Sequence, residues 1–323
     1  MPAMGPARSL ANQLQLMEEY PEHRFLLYKD VPCNWDAWNI DSMYEQQPVE
    51  ITAPAHIEVI TSGPLLGTVH LTRAIGKSQL TQDISLRRGS AQVDFVTVLD
   101  WQERHKLLKV AFPVNVHADE AIHEIQFGHL HRPTHRSRQY DAARFEVSQH
   151  KWTALAEEGR GCALLNNCKY GVNVLGNSIN LTLLRAPLGP DMLADRGRQE
   201  FTYSFFAWTG SLADSGIVRA AYELNSPVTT VRGDAGEQSW FRIDAPNVII
   251  DTVKPAEDGS GDVIVRLYES MRTATHCSLK VGLPFAKAAQ TNMLEQQPVK
   301  LAIKNGAIAL EFRPFEVKTV RLH

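Results

Sequence analysis

A chain of 323 residues can bury a sizeable core, and length alone places about two domains in it. Its formal charge of −3 gives no electrostatic case for nucleic acid or an anionic membrane as partner. No apolar run approaches the roughly 18–20 residues that cross a bilayer, and the first residues lack the continuous apolar core of a secretion signal.

The four cysteines, Cys33, Cys162, Cys168 and Cys277, are scattered and form no C-x-x-C pair. That pattern favours free thiols in a reducing cytosol, so a cytoplasmic location is expected. A single helix is predicted, over Ser9–Tyr20. Ser9 serves as N-cap, Leu10, Leu14 and Met17 share one face, and Pro21 stops the run. The next stretch, Cys33–Glu50, is aromatic and acidic with no clean period, as in a folded-over loop. Trp35 and Trp38 bracket Asp36, and Asp41 follows. Two readings stand here. The indoles are packing anchors with acids capping turns, or they form a sugar-facing wall in which indole faces stack on pyranose C–H faces and carboxylates accept hydroxyl hydrogen bonds.

Short period-2 runs follow, beginning at His56, Leu66, Ser78 and Ala91. In the last of these Val93, Phe95, Thr97 and Leu99 fall on one side of the pleat. Val96 and Val98 keep the other side partly apolar, so both faces are expected to be covered. After the polar corner Gln102–His105, the run from Leu107 is expected to return as the antiparallel partner. Charged loops on apolar strands fill the centre of the chain, over Glu124–Val147, Leu164–Asn177 and Asp195–Trp208. Hydrophobicity then falls across Leu224–Ser239, which marks a domain boundary. Beyond it a smaller all-β unit is expected, with Asn305–Gly306 as a type I′ hairpin turn. Many short strands punctuated by Gly, Pro and Asn, without alternating helices, predict an all-β sandwich architecture.

Glycoside hydrolysis would need two carboxylates facing one bond. Candidates by type are Asp36, Asp41, Glu124, Asp141, Glu146, Asp191 and Asp195, which sequence spacing cannot pair. His129, His131 and His135 lie close together, and the first two would share a strand face, with Pro133 interrupting the ladder. They read as a metal cluster or as a solvated polar loop. Cys168 beside Lys169 reads as an acidified nucleophile or as a small filler. No nucleophile elbow, phosphate loop or dinucleotide fingerprint occurs.

The stretches YKDVPCNWDAWNID, EIQFGHLHRPTHRSRQYDAARFEVSQHKW, LLNNCKYGVNVLGNSINLTLLRAP and PDMLADRGRQEFTYSFFAW resemble the C-terminal β region of glycoside hydrolase family 38 α-mannosidases, closest to the cytosolic and bacterial branch. TVKPAEDGSGDVIVRLYE and the closing FRPFEVKTVRL resemble the end of the same proteins. The resemblance implies a galactose-mutarotase-like super-sandwich over residues 26–233, incomplete at its N-terminal end with its first strands skipped, and a small C-terminal β-sandwich over 234–323. It also implies that residues 1–25 are a remnant helix similar to part of the catalytic domain, with a join near Phe25–Leu26.

Family members hydrolyse α-mannosides with retention, using an Asp nucleophile and a zinc ion. Both belong to an N-terminal domain followed by a helical bundle. They carry over to no residue here, so no catalytic residue, metal ligand or cofactor is assigned to this chain. Loops of the super-sandwich reach toward the family's pocket. The resemblance therefore makes Asp191, Asp195, Arg196 and Arg198 substrate-contact candidates beside Trp35, Asp36 and Asp41; an interdomain salt-bridge network is the competing reading of that charged loop. Asn39 and Asn167 stand where relatives commonly carry Asp. Two functions follow: the C-terminal portion of an α-mannosidase, inactive alone, or a non-catalytic carbohydrate-binding or scaffolding sandwich. The expected partner is an α-mannoside or another carbohydrate.

Overall fold

In a computed structural model of the chain, residues 24–234 and 236–323 are described. The helix read over Ser9–Tyr20 lies outside the described residues. Period-2 alternation produces strands throughout, and the chain divides into two units. The first comprises residues up to Glu124 together with Leu130–Pro227, and the second Ile125–His129 with Val228–His323.

In chain order the first unit contains β1 (Arg24–Lys29), β2 (Pro48–Val49), β3 (His56–Ser62), β4 (Leu66–Ile75), β5 (Ser78–Arg87), β6 (Gln92–Trp101) and β7 (Lys106–Pro113). The β8–β9 hairpin follows, with β8 at Glu120–Ile125 and β9 at Gly128–Pro133; its turn counts with the second unit. Then come β10 (Val147–Ser148), β11 (Trp152–Glu157), β12 (Arg160–Asn166), β13 (Gly171–Leu175), β14 (Ser178–Leu184) and β15 (Gly197–Thr209). A six-stranded sheet, β10-β13-β14-β7-β1-β2, covers a nine-stranded sheet, β3-β4-β5-β6-β15-β12-β11-β8-β9. Inward residues of both sheets make one core, since alternate side chains along a strand point to the same face. At its centre Phe95 stacks on Tyr203 at 5.0 Å and Phe112 on Phe205 at 5.7 Å. The Tyr203 hydroxyl, buried with them, accepts from Gln82 Nε2 at 2.8 Å.

Two expectations are corrected here. β7 is not the partner of β6; it lies between β1 and β14 in the other sheet. Its residues are buried on both faces, Leu108, Val110 and Phe112 toward the core and Leu107, Lys109 and Ala111 on the other side, as befits a central strand. β6 pairs with β5 on one side and, on the other, with β15, reached only after three further hairpins, with Gly197 opposite Trp101 and Phe206 opposite Gln92. Nor is β6 covered on both faces. Phe95, Thr97 and Leu99 are buried, but Val96 is 48% exposed on the outer face.

The single expected helix is also not the whole helical content. Gln139–Ala143 forms one turn, and Ile217–Asn225 forms a longer helix that buries Ile217, Val218 and Ala221. Its boundary signal was obscured because Gly216, rather than a Ser, Asp or Asn, occupies the N-cap.

The second unit contains β16 (Phe241–Ile243), β17 (Val248–Pro255), β18 (Val263–Glu269), β19 (Thr275–Val281), β20 (Ala288–Thr291), β21 (Val299–Leu301), β22 (Ile303–Lys304), β23 (Ala307–Phe312) and β24 (Val317–Leu322). These form sheets β16-β19-β23-β22 and β17-β18-β24-β20-β21 around their own core. Asn305 and Gly306 both hold positive φ, 52° and 72°, and pair Lys304 with Ala307, as a type I′ turn requires. The buried Glu269 carboxylate accepts from the amides of Met271, Thr273 and Phe315 and from Asn247, fastening the loops at one end of this unit.

Candidate functional site

Trp35, Asp36 and Asp41 lie in the β1–β2 connection; Asp191, Asp195 and Arg196 lie between β14 and β15, and Arg198 lies in β15 itself. The structure joins these two connections through Arg185 and Asp36. The Arg185 guanidinium donates to Asp30 at 2.7 Å and to the carbonyls of Asp36, Ala37 and Asn39. In return Asp36 Oδ2 accepts the amides of Leu188 at 2.7 Å and Gly189 at 3.0 Å. The corner between β6 and β7 completes the clasp, since His105 Nε2 lies 3.0 Å from Asp36 Oδ2 and the His105 amide donates to the Ala186 carbonyl. Burial raises the Asp36 pKa, but the His105 imidazole and the two amides outweigh it and hold the carboxyl below its ordinary value.

Asp195 Oδ2 accepts the amides of Arg185 and Ala186 at 2.9 and 3.1 Å, and Asp41 Oδ2 accepts the Cys33 amide at 2.8 Å. A hydrogen bond to Asp41 and its charge, with a little burial, push the Cys33 thiol up, away from nucleophilic use. Trp35, His105, Ala186 and Asp195 all adopt positive φ, between 49° and 58°. Four left-handed non-glycine residues in one corner store strain of order 1–3 kcal/mol each, which only a well-tied corner sustains.

What this corner presents outward is apolar. Trp35 is 71% exposed, Trp38 70%, Met192 66% and Leu193 63%, so the reading of the two indoles as packing anchors fails within the described residues. Asp191 is exposed, with one carboxylate oxygen accepting the Leu193 amide at 2.8 Å. Arg198 pairs with Glu200 at 2.6 Å on the open strand, and Arg196 Nε is buried without a hydrogen-bond partner. The sequence reading missed Arg185, Asp30 and His105. The signal was available in Arg185, a lone guanidinium directly after the apolar run of β14.

The remaining acids are structural. Glu124 takes the Lys151 amide and ammonium, and Asp141 takes Arg138. Glu146 holds the Tyr44 hydroxyl at 2.6 Å and the fully buried Lys109 ammonium. Burial pushes the Lys109 pKa down against the pull of Glu146. No two of these acids form an exposed facing pair.

The His cluster does not converge. His129 is buried and donates from Nδ1 to the Ser270 carbonyl, His131 pairs with Glu120 at 3.2 Å, and His135 accepts the Ser137 amide. An open concavity of about 950 Å3 is lined by His117, Asp119, Glu120, His131, His135 and Arg138. Among the described residues no group of three His, Cys, Asp or Glu is placed to hold a metal ion, so they do not fit the zinc that the resemblance attaches to the intact family. Cys168 is exposed, and the ammonium of its neighbour Lys169 lies over the Phe201 ring at 4.6 Å. Asn167 keeps a defined role as an amide, its Oδ1 accepting the Thr202 amide at 3.0 Å.

Comparison with known proteins fits this architecture. The family description "Glycosyl hydrolases family 38 C-terminal domain" matches residues 5–193, and "Glycosyl hydrolases family 38 C-terminal beta sandwich domain" matches residues 247–320. The chain is 40% identical over 310 residues to Alpha-mannosidase 2C1 of Homo sapiens, covering 93% of this chain and 30% of that protein. It is 36% identical to Alpha-mannosidase G of Dictyostelium discoideum, covering 93% of this chain and 29% of that one. The chain thus spans about 30% of the length of these relatives. An α-mannosidase crystal structure from Enterococcus faecalis V583 superposes with a TM-score of 0.75 at 17% identity, over 93% of this chain and 38% of that one, and shares the fold. Two family descriptions falling on the two sandwich units, with relatives aligned across nearly the whole sequence, establish that the chain belongs to glycosyl hydrolase family 38 and carries its C-terminal β region.

Proposed function

We propose that this chain is the C-terminal β region of an α-mannosidase-type glycoside hydrolase, whose whole catalyses retaining hydrolysis of α-mannosides in mannose and oligosaccharide catabolism. The observation that carries this reading, beyond family membership, is the strained corner that clasps the Trp35–Trp38 loop to the Arg185–Arg196 segment. In it the indole faces of Trp35 and Trp38 stack against sugar C–H faces, the outer Asp191 oxygen accepts hydroxyl hydrogen bonds, and Arg196 and Arg198 donate to ring substituents. Asp36, Asp41 and Asp195 act as positioning residues, since their carboxylates are engaged by backbone amides. The nucleophile and the zinc ligands are supplied from outside these 323 residues.

A second reading, a carbohydrate-binding sandwich without catalysis, is favoured by the exposed indoles alone. A cytoplasmic location belongs to the first reading and is supported by four unpaired cysteines, two of them exposed. No helix among the described residues is long and apolar enough to cross a membrane.

The test is hydrolysis of an aryl α-mannoside by the purified chain with added zinc. No turnover above buffer is expected. Zinc-dependent turnover traced to this polypeptide would overturn the placement of the nucleophile elsewhere.

A further inference from the structure

β3 is the terminal strand of the nine-stranded sheet, and every one of its seven residues is exposed. Ile57 is 59% exposed, Val59 69% and Ile60 51%. Protective devices on such an edge are few: β3 holds no lysine or proline, and its one bulge lies at Ile60, between Val59 and Thr61. Its free side therefore presents a ladder of solvated backbone groups flanked by apolar side chains.

The sequence of β3 complements itself in one register. Across the outer face of the sheet, Asp83 of β5 stands opposite His70 of β4, with Nδ1 2.6 Å from Oδ1, and His70 stands opposite Glu58 of β3. This row of alternating carboxylate and imidazole ends at the edge on Glu58. Two residues before it on the same face is His56, and among the described residues neither the Glu58 nor the His56 side chain has a hydrogen bond or ion pair.

We propose that the β3 edge is a homodimer interface, with a second copy of this chain pairing antiparallel about a two-fold axis through Ile57. In this register Glu58 meets His56 of the second copy, and His56 meets its Glu58. Both rows of alternating carboxylate and imidazole then continue across the junction as Asp83, His70, Glu58, His56. Registers centred on Glu58 or His56 would instead set like residues against each other, which disfavours them. The ladder also ends for a stated reason on both sides. Pro54, which has no amide hydrogen, falls opposite Ile60, the bulge residue. On the other face Ile57 packs on its symmetry mate and Val59 on Ala55, removing apolar surface from water. A two-fold interface of this kind consumes both edges and closes, whereas open edge pairing would run on into aggregates.

Sedimentation velocity of the 323-residue chain over a wide dilution series tests this. The unaltered chain is expected to show a concentration-dependent shift from monomer to dimer mass. Ile57→Lys and Glu58→Lys should each remain monomeric. The exchange variant His56→Glu with Glu58→His, which keeps a carboxylate facing an imidazole across the junction, should still dimerise. All three positions are exposed, so unchanged thermal midpoints will separate loss of pairing from loss of folding. A chain that stays monomeric at every concentration overturns the proposal, as does a dimer that survives Ile57→Lys or one that the exchange variant abolishes.

Discussion

Lys109 shows how one residue can be legible by type and hidden by context. It interrupts the apolar run of β7, and its ammonium is buried against Glu146, which also takes the Tyr44 hydroxyl and lies 37 residues away. Removing one member of a buried pair strands the other. Lys109→Met alone is therefore expected to cost about 3–5 kcal/mol in chemical denaturation, and Lys109→Met with Glu146→Leu to recover most of that loss. His123 makes a second case. Burial, with smaller effects from Arg132 and His131, pushes its imidazole down to about 3. An unfolded histidine titrates near 6.5, so between about pH 6.5 and about pH 3 the unfolded chain holds the extra proton. Stability from this group is complete above that window and falls with acidification by up to about 1.4 kcal/mol per pH unit. His123→Gln should flatten that limb in urea titrations at stepped pH, whereas an unchanged slope would place the acid sensitivity elsewhere. The sequence displayed both residues, but the partners that define them come from other strands.

At the scale of elements, local chemistry was readable and long-range pairing was not. Asn305–Gly306 specifies its hairpin because only its own two backbone conformations matter. The partner of β6 depends on which distant strand buries the opposing row, and β15 takes the place expected of β7. The clasped corner belongs to this scale too, because Asp36 ties together three connections. Its carboxyl has a lowered folded pKa, so its contribution is present above the ordinary aspartate value near 3.9 and is lost as pH falls through the lower folded value. Tryptophan emission from Trp35 and Trp38 should therefore change only at the acid end. In Asp36→Ala the corner should be loosened already at neutral pH, with a stability loss of about 1.5–3 kcal/mol. Emission and stability identical to the parent would show that Asp36 does not hold the loop.

For the whole molecule, alternation and punctuation sufficed to predict an all-β chain, and long motifs from Tyr28 to Trp208 carried the family. Outward exposure was the part they could not carry. An indole in sequence is equally a core residue or a surface plate, and the choice depends on whether the Arg185 clasp turns the loop outward. Titration calorimetry of the chain with an α-linked mannose oligosaccharide tests most directly whether that outward surface faces carbohydrate. Saturable heat is expected at millimolar ligand, weak because two exposed indoles and a few hydrogen bonds bind it. It should be lost in the Trp35→Ala, Trp38→Ala double variant at unchanged fold. Absence of heat from the parent chain, or heat that survives loss of both indoles, would contradict the account.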